Sequence, residues 1–236
     1  MHLFIITGSS RGLGAAMALQ LQQAGHQVLG IARRRQPELA AEQWESDLAD
    51  PLPVAARLQD WLQDPARPRW QSATLINNAA LLQPPGPLAA GQPQALSAAL
   101  RVGLEAPALL CQAFLAGTTT VPQRRIMNIS SGLGRRAMAG VASYCAIKAG
   151  LDHLSRALAL EAPNVGIVSI APGVIDSDMQ QQLRGADPTQ FADQARFQGL
   201  KDGGQLQTAD ATAAALLRYL ERADYGQQVI ADIRDA

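Results

Sequence analysis

Cysteine is nearly absent, with two residues in 236. Cys111 and Cys145 lie far apart in stretches of helical composition, and neither belongs to a Cys/His cluster at metal-ligand spacing. Both read as small apolar filler in a reducing compartment, and no metal is expected. His2, His26 and His153 are equally isolated. An excess of charge is missing as well, since Lys+Arg and Asp+Glu stand at 20 each. That balance removes the electrostatic pull toward nucleic acid or an anionic membrane. The N-terminal apolar run falls far short of the ~20 residues of a membrane span. The opening MHLFIITGSS lacks both the basic start and the apolar length of a signal peptide, so a cytoplasmic protein is expected. Internal repeats are not evident, and the Pro-rich pieces at 64–69 and 83–87 are too short to be linkers. Residues 1–236 are therefore read as one domain.

What the chain does have is a recurrence of short apolar runs, at 3–7, 27–32, 74–79, 126–130, 165–171 and 229–233, with 44–48 as a shorter candidate. Runs rich in Ile and Val without polar alternation suit strands buried on both faces, hence parallel strands. Helical stretches separate them at 12–24 with Gly25 as the stop, 51–62, 94–115, 143–161 and 208–222. This alternation predicts an α/β fold, a doubly wound (Rossmann), mostly parallel sheet with helices on both faces. The least regular segment, 176–207, contains Gly203 and Gly204 and is expected to act as a substrate flap.

The first run leads straight into TGSSRGLG. A glycine-rich turn between strand and helix lets the backbone approach a pyrophosphate, and the helix N-terminus offers free N–H groups and a positive dipole. Gly8, Ser10, Arg11, Gly12, Leu13 and Gly14 are the candidate contacts. About 20 residues further on, dinucleotide folds place an acid against a free 2′-hydroxyl or a basic residue against a 2′-phosphate. Here the chain reads GIARRRQ, with Ala32 where the acid would stand and Arg33, Arg34 and Arg35 after it. Three arginines in a row are often just a solvated charge run. The missing acid nevertheless favours NADP, with Arg33 as the contact and Arg11 within reach of the same phosphate.

In YCAIK, Tyr144 and Lys148 are four apart, on one face of a helix. Ser131 follows the fourth long run, in NISS, where a strand's carboxyl end would open on the ligand crevice. A hydroxyl, a phenol and an ammonium would then converge. A free tyrosine titrates near about 10, and a cation close by favours its ionised form, so Lys148 is expected to draw Tyr144 toward acid/base strength at neutral pH.

Taken together, TGSSRGLG, NNAA at 77–80, Ser131, YCAIK and APGVIDSDM at 171–179 resemble the short-chain dehydrogenase/reductase family in order and spacing. The stretch from YCAIK onward is similar to the family's sepiapterin reductase and benzil reductase branch. The resemblance implies Tyr144 as general acid/base, Ser131 as the holder of the substrate oxygen, and Lys148 as modulator of Tyr144 and binder of the nicotinamide ribose. It also implies that Asn77 and its neighbours Asn78 and Ala79 carry the loop beside the adenosine ribose. Asp47 and Leu48 would meet the adenine, and Pro172, Gly173, Ile175 and Ser177 would form the nicotinamide wall.

Three departures stand out. Ala80 replaces the usual Gly, Gly103 stands where an Asn normally helps hold a relay water, and Asp232 aligns with the branch's pterin-anchoring Asp only across a gap. Arg135 and Arg136 follow Ser131 and could meet an anionic substrate or simply be solvated. Met138, Met179, Leu183 and Phe191 suggest an apolar pocket. The implied activity is NADPH-dependent reduction of a small-molecule ketone or diketone, sepiapterin- or benzil-like. The alternatives are an alcohol dehydrogenase working oxidatively and an NADP-binding sensor without catalysis. A homodimer or homotetramer is expected through the helices at 94–115 and 143–161.

Overall fold

A computed structural model describes residues 1–235. Seven strands form one sheet: β1 (His2–Thr7), β2 (Gln27–Ala32), β3 (Glu42–Glu45), β4 (Ser72–Asn77), β5 (Gln123–Ile129), β6 (Gly166–Ala171) and β7 (Ile230–Asp232). Their order is β3-β2-β1-β4-β5-β6-β7 and every neighbouring pair is parallel. The chain winds outward from β1 to β3, then crosses back to lay β4 against β1. The order reverses there, which opens a crevice at the strands' carboxyl ends.

The apolar runs carry no polar alternation because both sheet faces are covered. Successive residues point to opposite faces, so Ile5, Leu75, Ile126 and Ile167 join one core while Ile6, Ile76, Met127 and Val168 join another. On the first face lie α2 (Pro51–Gln63), α4 (Ala106–Gly117) and α5 (Ala142–Glu161), with Leu58, Leu110 and Phe114 wholly buried. The second face takes α1 (Gly12–Gln23) and α8 (Ala209–Leu220), which pack on each other through Met17, Leu21 and Leu216. The last turn of α1 ends at Gly25, whose φ of +79° is the left-handed stop.

Two elements differ from the sequence expectation. The short strand lies at Glu42–Glu45 rather than 44–48, because the chain turns away directly after Glu45, and Leu48 joins Trp44 in the core from the turn beyond it. There Asp47 Oδ1 accepts from the Ala49 N–H at 3.0 Å and fixes the turn. The helix expected over 94–115 runs as α3 (Pro93–Leu100), a π turn (Arg101–Glu105) and α4. Pro107 lacks the N–H that an unbroken α-helix would aim at the Gly103 carbonyl. The ladder widens instead, and the Ala106 N–H donates to the Arg101 carbonyl, five residues back. The whole run Pro93–Gly117 is long and apolar enough to cross a membrane, but half of its apolar window is buried inside the fold, chiefly where α4 packs against α2.

The π turn also explains Gly103. A Cβ built there would lie 2.5 Å from Ile147 Cγ2 on α5. Ile147 is buried and β-branched, so its χ1 is stiff. Gly103→Asn should therefore destabilise the protein by about 1–3 kcal/mol, the usual cost of overpacking, and urea unfolding should show Ile147→Ala restoring part of that loss in the double variant.

Candidate functional site

At the reversal between β1 and β4 the glycine loop is fastened from below. Thr7 Oγ1 accepts the Asn78 and Ala79 N–H groups at 2.9 and 3.0 Å, and Asn78 Nδ2 donates to the Thr7 carbonyl at 3.0 Å. Gly8 and Gly12 have φ of +69° and +55°, open to them without strain. A Cβ on Gly12 would meet nothing within 4 Å, so its surface faces free space. Arg11 precedes α1 without a side-chain cap, which leaves the helix's first N–H groups free for an anion.

From this loop a cleft of about 1050 Å³ runs along the carboxyl edge of the sheet. One end is walled by Gly8, Ser10, Arg11, Gly12 and Leu13, and continues past Arg33, Asp47, Leu48, Asn78 and Ala79. The other end gathers Ser131, Tyr144, Lys148, Pro172, Gly173, Ile175 and Ser177. Of the sequence candidates, Gly14 is the exception: a Cβ there would run into the Gly8 carbonyl and Asn78 Nδ2, so its smallness serves the packing of α1 under the loop. Asn77 also turns inward, donating to Asn128 Oδ1 at 2.8 Å, while Asn128 donates to Ser155 Oγ at 2.8 Å. Ala80 and Leu81, not Asn77, continue the wall beyond Asn78 and Ala79.

The electrostatics differ between the two ends. Arg33 and Arg34 line the cleft, exposed, and neither makes an ion pair among the described residues. Arg11 instead pairs with Asp178 at the start of α6 (Asp178–Arg184). Residues 176–207 are more regular than expected, holding α6 and α7 (Gln194–Asp202), with Ser177 capping α6. Both ends of the segment are tied by the Asp176 N–H to the Gln207 carbonyl and the Gln207 N–H to the Val174 carbonyl, each 2.9 Å. Its Phe191, Phe197 and Leu183 form a core with Met138 and Val141, while Met179 and Leu183 also reach the cleft.

At the reactive end, Ser131 Oγ accepts the Leu133 N–H at 3.2 Å and keeps its own proton free to donate. Burial pushes the Tyr144 phenol up to about 12, and the Ser131 hydroxyl beside it only partly opposes this. The Lys148 ammonium lies 5.6 Å from the ring centroid. The expected downward pull of Lys148 does not set the direction of the Tyr144 shift, which burial turns upward toward the acid form. Lys148 is itself buried and donates to the Ile129 carbonyl at 2.6 Å. Burial lowers it to about 8, with the Asp152 carboxylate pulling the other way. Asp152 was not singled out by motif; its only signal is an acid one helical turn after Lys148 on a face that turns out to be buried. Arg135 points inward to this carboxylate at 3.3 Å, while Arg136 lines the cleft. Asp232 reaches the cleft too, but Arg234 grips its two oxygens at 2.8 and 2.6 Å. No metal-binding cluster of His, Cys, Asp or Glu exists among the described residues.

Comparison with known proteins agrees with this architecture. The sequence profile of the family described as short chain dehydrogenase matches residues 2–188. A benzil reductase ((S)-benzoin forming) of Bacillus cereus is 33% identical over 241 residues, covering 96% of this chain and 97% of that protein. Sepiapterin reductase of Mus musculus is 31% identical over 258 residues, covering 98% and 96%. A metagenomic short-chain oxidoreductase crystallised in complex with NADP superposes with a TM-score of 0.72 at 27% identity, covering 98% and 94%. With its parallel sheet, its glycine loop and its serine, tyrosine and lysine on one cleft, the chain belongs to the short-chain dehydrogenase family of oxidoreductases.

Proposed function

We propose that this oxidoreductase is an NADPH-dependent carbonyl reductase acting on a ketone or 1,2-diketone flanked by apolar or aromatic groups. The observation that carries the reading is a half-buried phenol facing a serine hydroxyl and a buried lysine across one cleft. The cleft suits a dinucleotide phosphate. Gly12 leaves room for backbone approach, Ala32 offers no acid against a ribose 2′-substituent, and Arg33 and Arg34 are unpaired cations beside it. Gly8, Ser10, Gly12 and Leu13 would hold the pyrophosphate, Asp47 and Leu48 the adenine, Asn78 and Ala79 the ribose side, and Pro172, Gly173, Ile175 and Ser177 the nicotinamide.

When bound, the reduced nicotinamide supplies a hydride to the carbonyl carbon. The chain's own groups handle the oxygen. Ser131 Oγ donates a hydrogen bond to it, fixing the carbonyl in line. Tyr144 Oη gives it a proton, completing the alcohol, and the phenolate left behind is offset by the Lys148 ammonium. A solvent proton then restores Tyr144. Leu133, Leu183, Phe197 and Leu200 give the substrate end an apolar lining. Because Arg234 occupies the Asp232 carboxylate, that acid is poorly placed to bind a substrate amine, which favours a benzil-like over a pterin-like substrate. Exposed Leu100 on α3 and Leu160 on α5 suit the proposed homodimer or homotetramer. We also propose that residues 1–236 act as one domain, with 176–207 as its substrate flap.

Two experiments test this. Tyr144→Phe should lower kcat for benzil by roughly 10²–10⁴-fold, the usual share of general acid catalysis, while NADPH binding by fluorescence is retained; full activity in the variant would refute the assignment. In Arg33→Ala combined with Arg34→Ala, the loss of charge-assisted bonds worth about 1.5–3 kcal/mol should raise KM for NADPH by roughly tenfold or more and leave KM for NADH unchanged. An equal rise for both cofactors would point to a contact away from the 2′-phosphate.

A further inference from the structure

Asp152, the only buried acid among the described residues, gathers several parts of the active-site framework. It is 4% exposed. Its Oδ1 accepts from Ser130 Oγ at 2.5 Å and from Ser169 Oγ at 2.6 Å, and its Oδ2 takes Arg135 Nε at 3.3 Å. Arg135 in turn donates to the Ala231 carbonyl at 2.7 Å. These partners come from different parts of the chain. Ser130 immediately precedes Ser131, Ser169 is on β6, Arg135 belongs to the loop between Ser131 and Tyr144, and Ala231 is on β7 beside Asp232 in the cleft wall.

We propose that Asp152 and Arg135 are positioning residues of the reaction, holding the Ser131 loop, the Tyr144 and Lys148 helix and the β7 wall in one register while Asp152 supplies the counter-charge to Lys148. This rests on the reductase reading of the same site. A fastening alone could be neutral, since an amide can accept from two serines. The charge has a further use. Lys148 is 3% exposed and bonds only to a neutral carbonyl, a setting that disfavours its cationic form.

The groups around Lys148 leave Asp152 as its counter-ion. Tyr144 on α5 is protonated. Below Lys148, β5 brings the Ile129 carbonyl and Ser130. The following loop brings the Arg135 cation, which is bound to Asp152 and opposes its field, and β7 brings Asp232, already taken by Arg234. Burial lowers Lys148 to about 8 even with Asp152 raising it. Removing the carboxylate therefore shifts Lys148 further toward its neutral form, which cannot offset the Tyr144 phenolate.

The chain has two lysines, Lys148 and Lys201, so a protein carrying ¹³C at the lysine ε-carbon gives two signals, assigned with Lys201→Arg. In the ligand-free protein the Lys148 signal should titrate near about 8. Asp152→Asn should move that midpoint down by about one pH unit or more, the usual effect of losing a nearby opposite charge. The alkaline limb of the kcat profile should shift in the same direction.

Arg135→Gln leaves the carboxylate but frees the loop. It should raise KM for the carbonyl and leave the Lys148 midpoint where it is or move it up. A folded Asp152→Asn protein with the wild-type midpoint and pH profile would overturn the proposal. So would Arg135→Gln with wild-type KM and kcat, the deciding variant should Asp152→Asn not fold. Because the titration needs neither cofactor nor substrate, a wild-type protein inactive on every carbonyl would unseat the reductase reading and leave the charge coupling to be judged on its own.

Discussion

Seven strands running the same way place seven carboxyl ends on one edge of the sheet, and everything at the cleft follows from that constraint. Parallel pairing requires each connection to cross a sheet face, which supplies the helices that bury the apolar runs. The same crossovers return the chain to the carboxyl edge with a new loop each time. The glycine loop follows β1, the Arg33 turn follows β2, Asp47 follows β3, Asn78 follows β4, Ser131 follows β5 and Pro172 follows β6. Residues more than a hundred positions apart in sequence therefore face one volume.

Burial then decides the chemistry. Tyr144 and Lys148 lie on the first two turns of α5, where the helix meets the sheet edge rather than solvent. Desolvation raises the phenol and lowers the ammonium, so two groups of nearly equal proton affinity in water are driven apart, to about 12 and about 8. A proton donor poised beside a cation that is easily discharged needs a stabilising acid close by, and Asp152 is that acid. The other end of the cleft is open instead, with Arg33 and Arg34 exposed and without an ion pair among the described residues.

Much of this could be read from residues alone. The parallel sheet was legible because its strands lack polar alternation, and the site because glycine loop, serine, tyrosine and lysine each occupy a strand end or helix start that the topology dictates. The break at Arg101–Glu105 was not legible, since Pro107 is compatible with either a new helix start or a π turn and only the Ala106 N–H bond to the Arg101 carbonyl distinguishes them. Gly14 and Asn77 look like ligand contacts by motif, yet one supports helix packing and the other a buried amide chain. Asp152 escaped because nothing in sequence tells a buried acid on a helix from a solvated one. The direction of the Tyr144 shift was misjudged for the same reason: sequence shows the cation but not the depth of burial.

The most direct test of the central claim is a stoichiometry measurement on the wild-type protein. It would be mixed with NADPH and benzil, with NADPH consumption and benzoin formation followed in the same sample. The two should rise together, one NADPH consumed for each benzoin formed, and faster with NADPH than with NADH. Tight NADPH binding with neither consumption nor product, on benzil or on any apolar ketone, would contradict it.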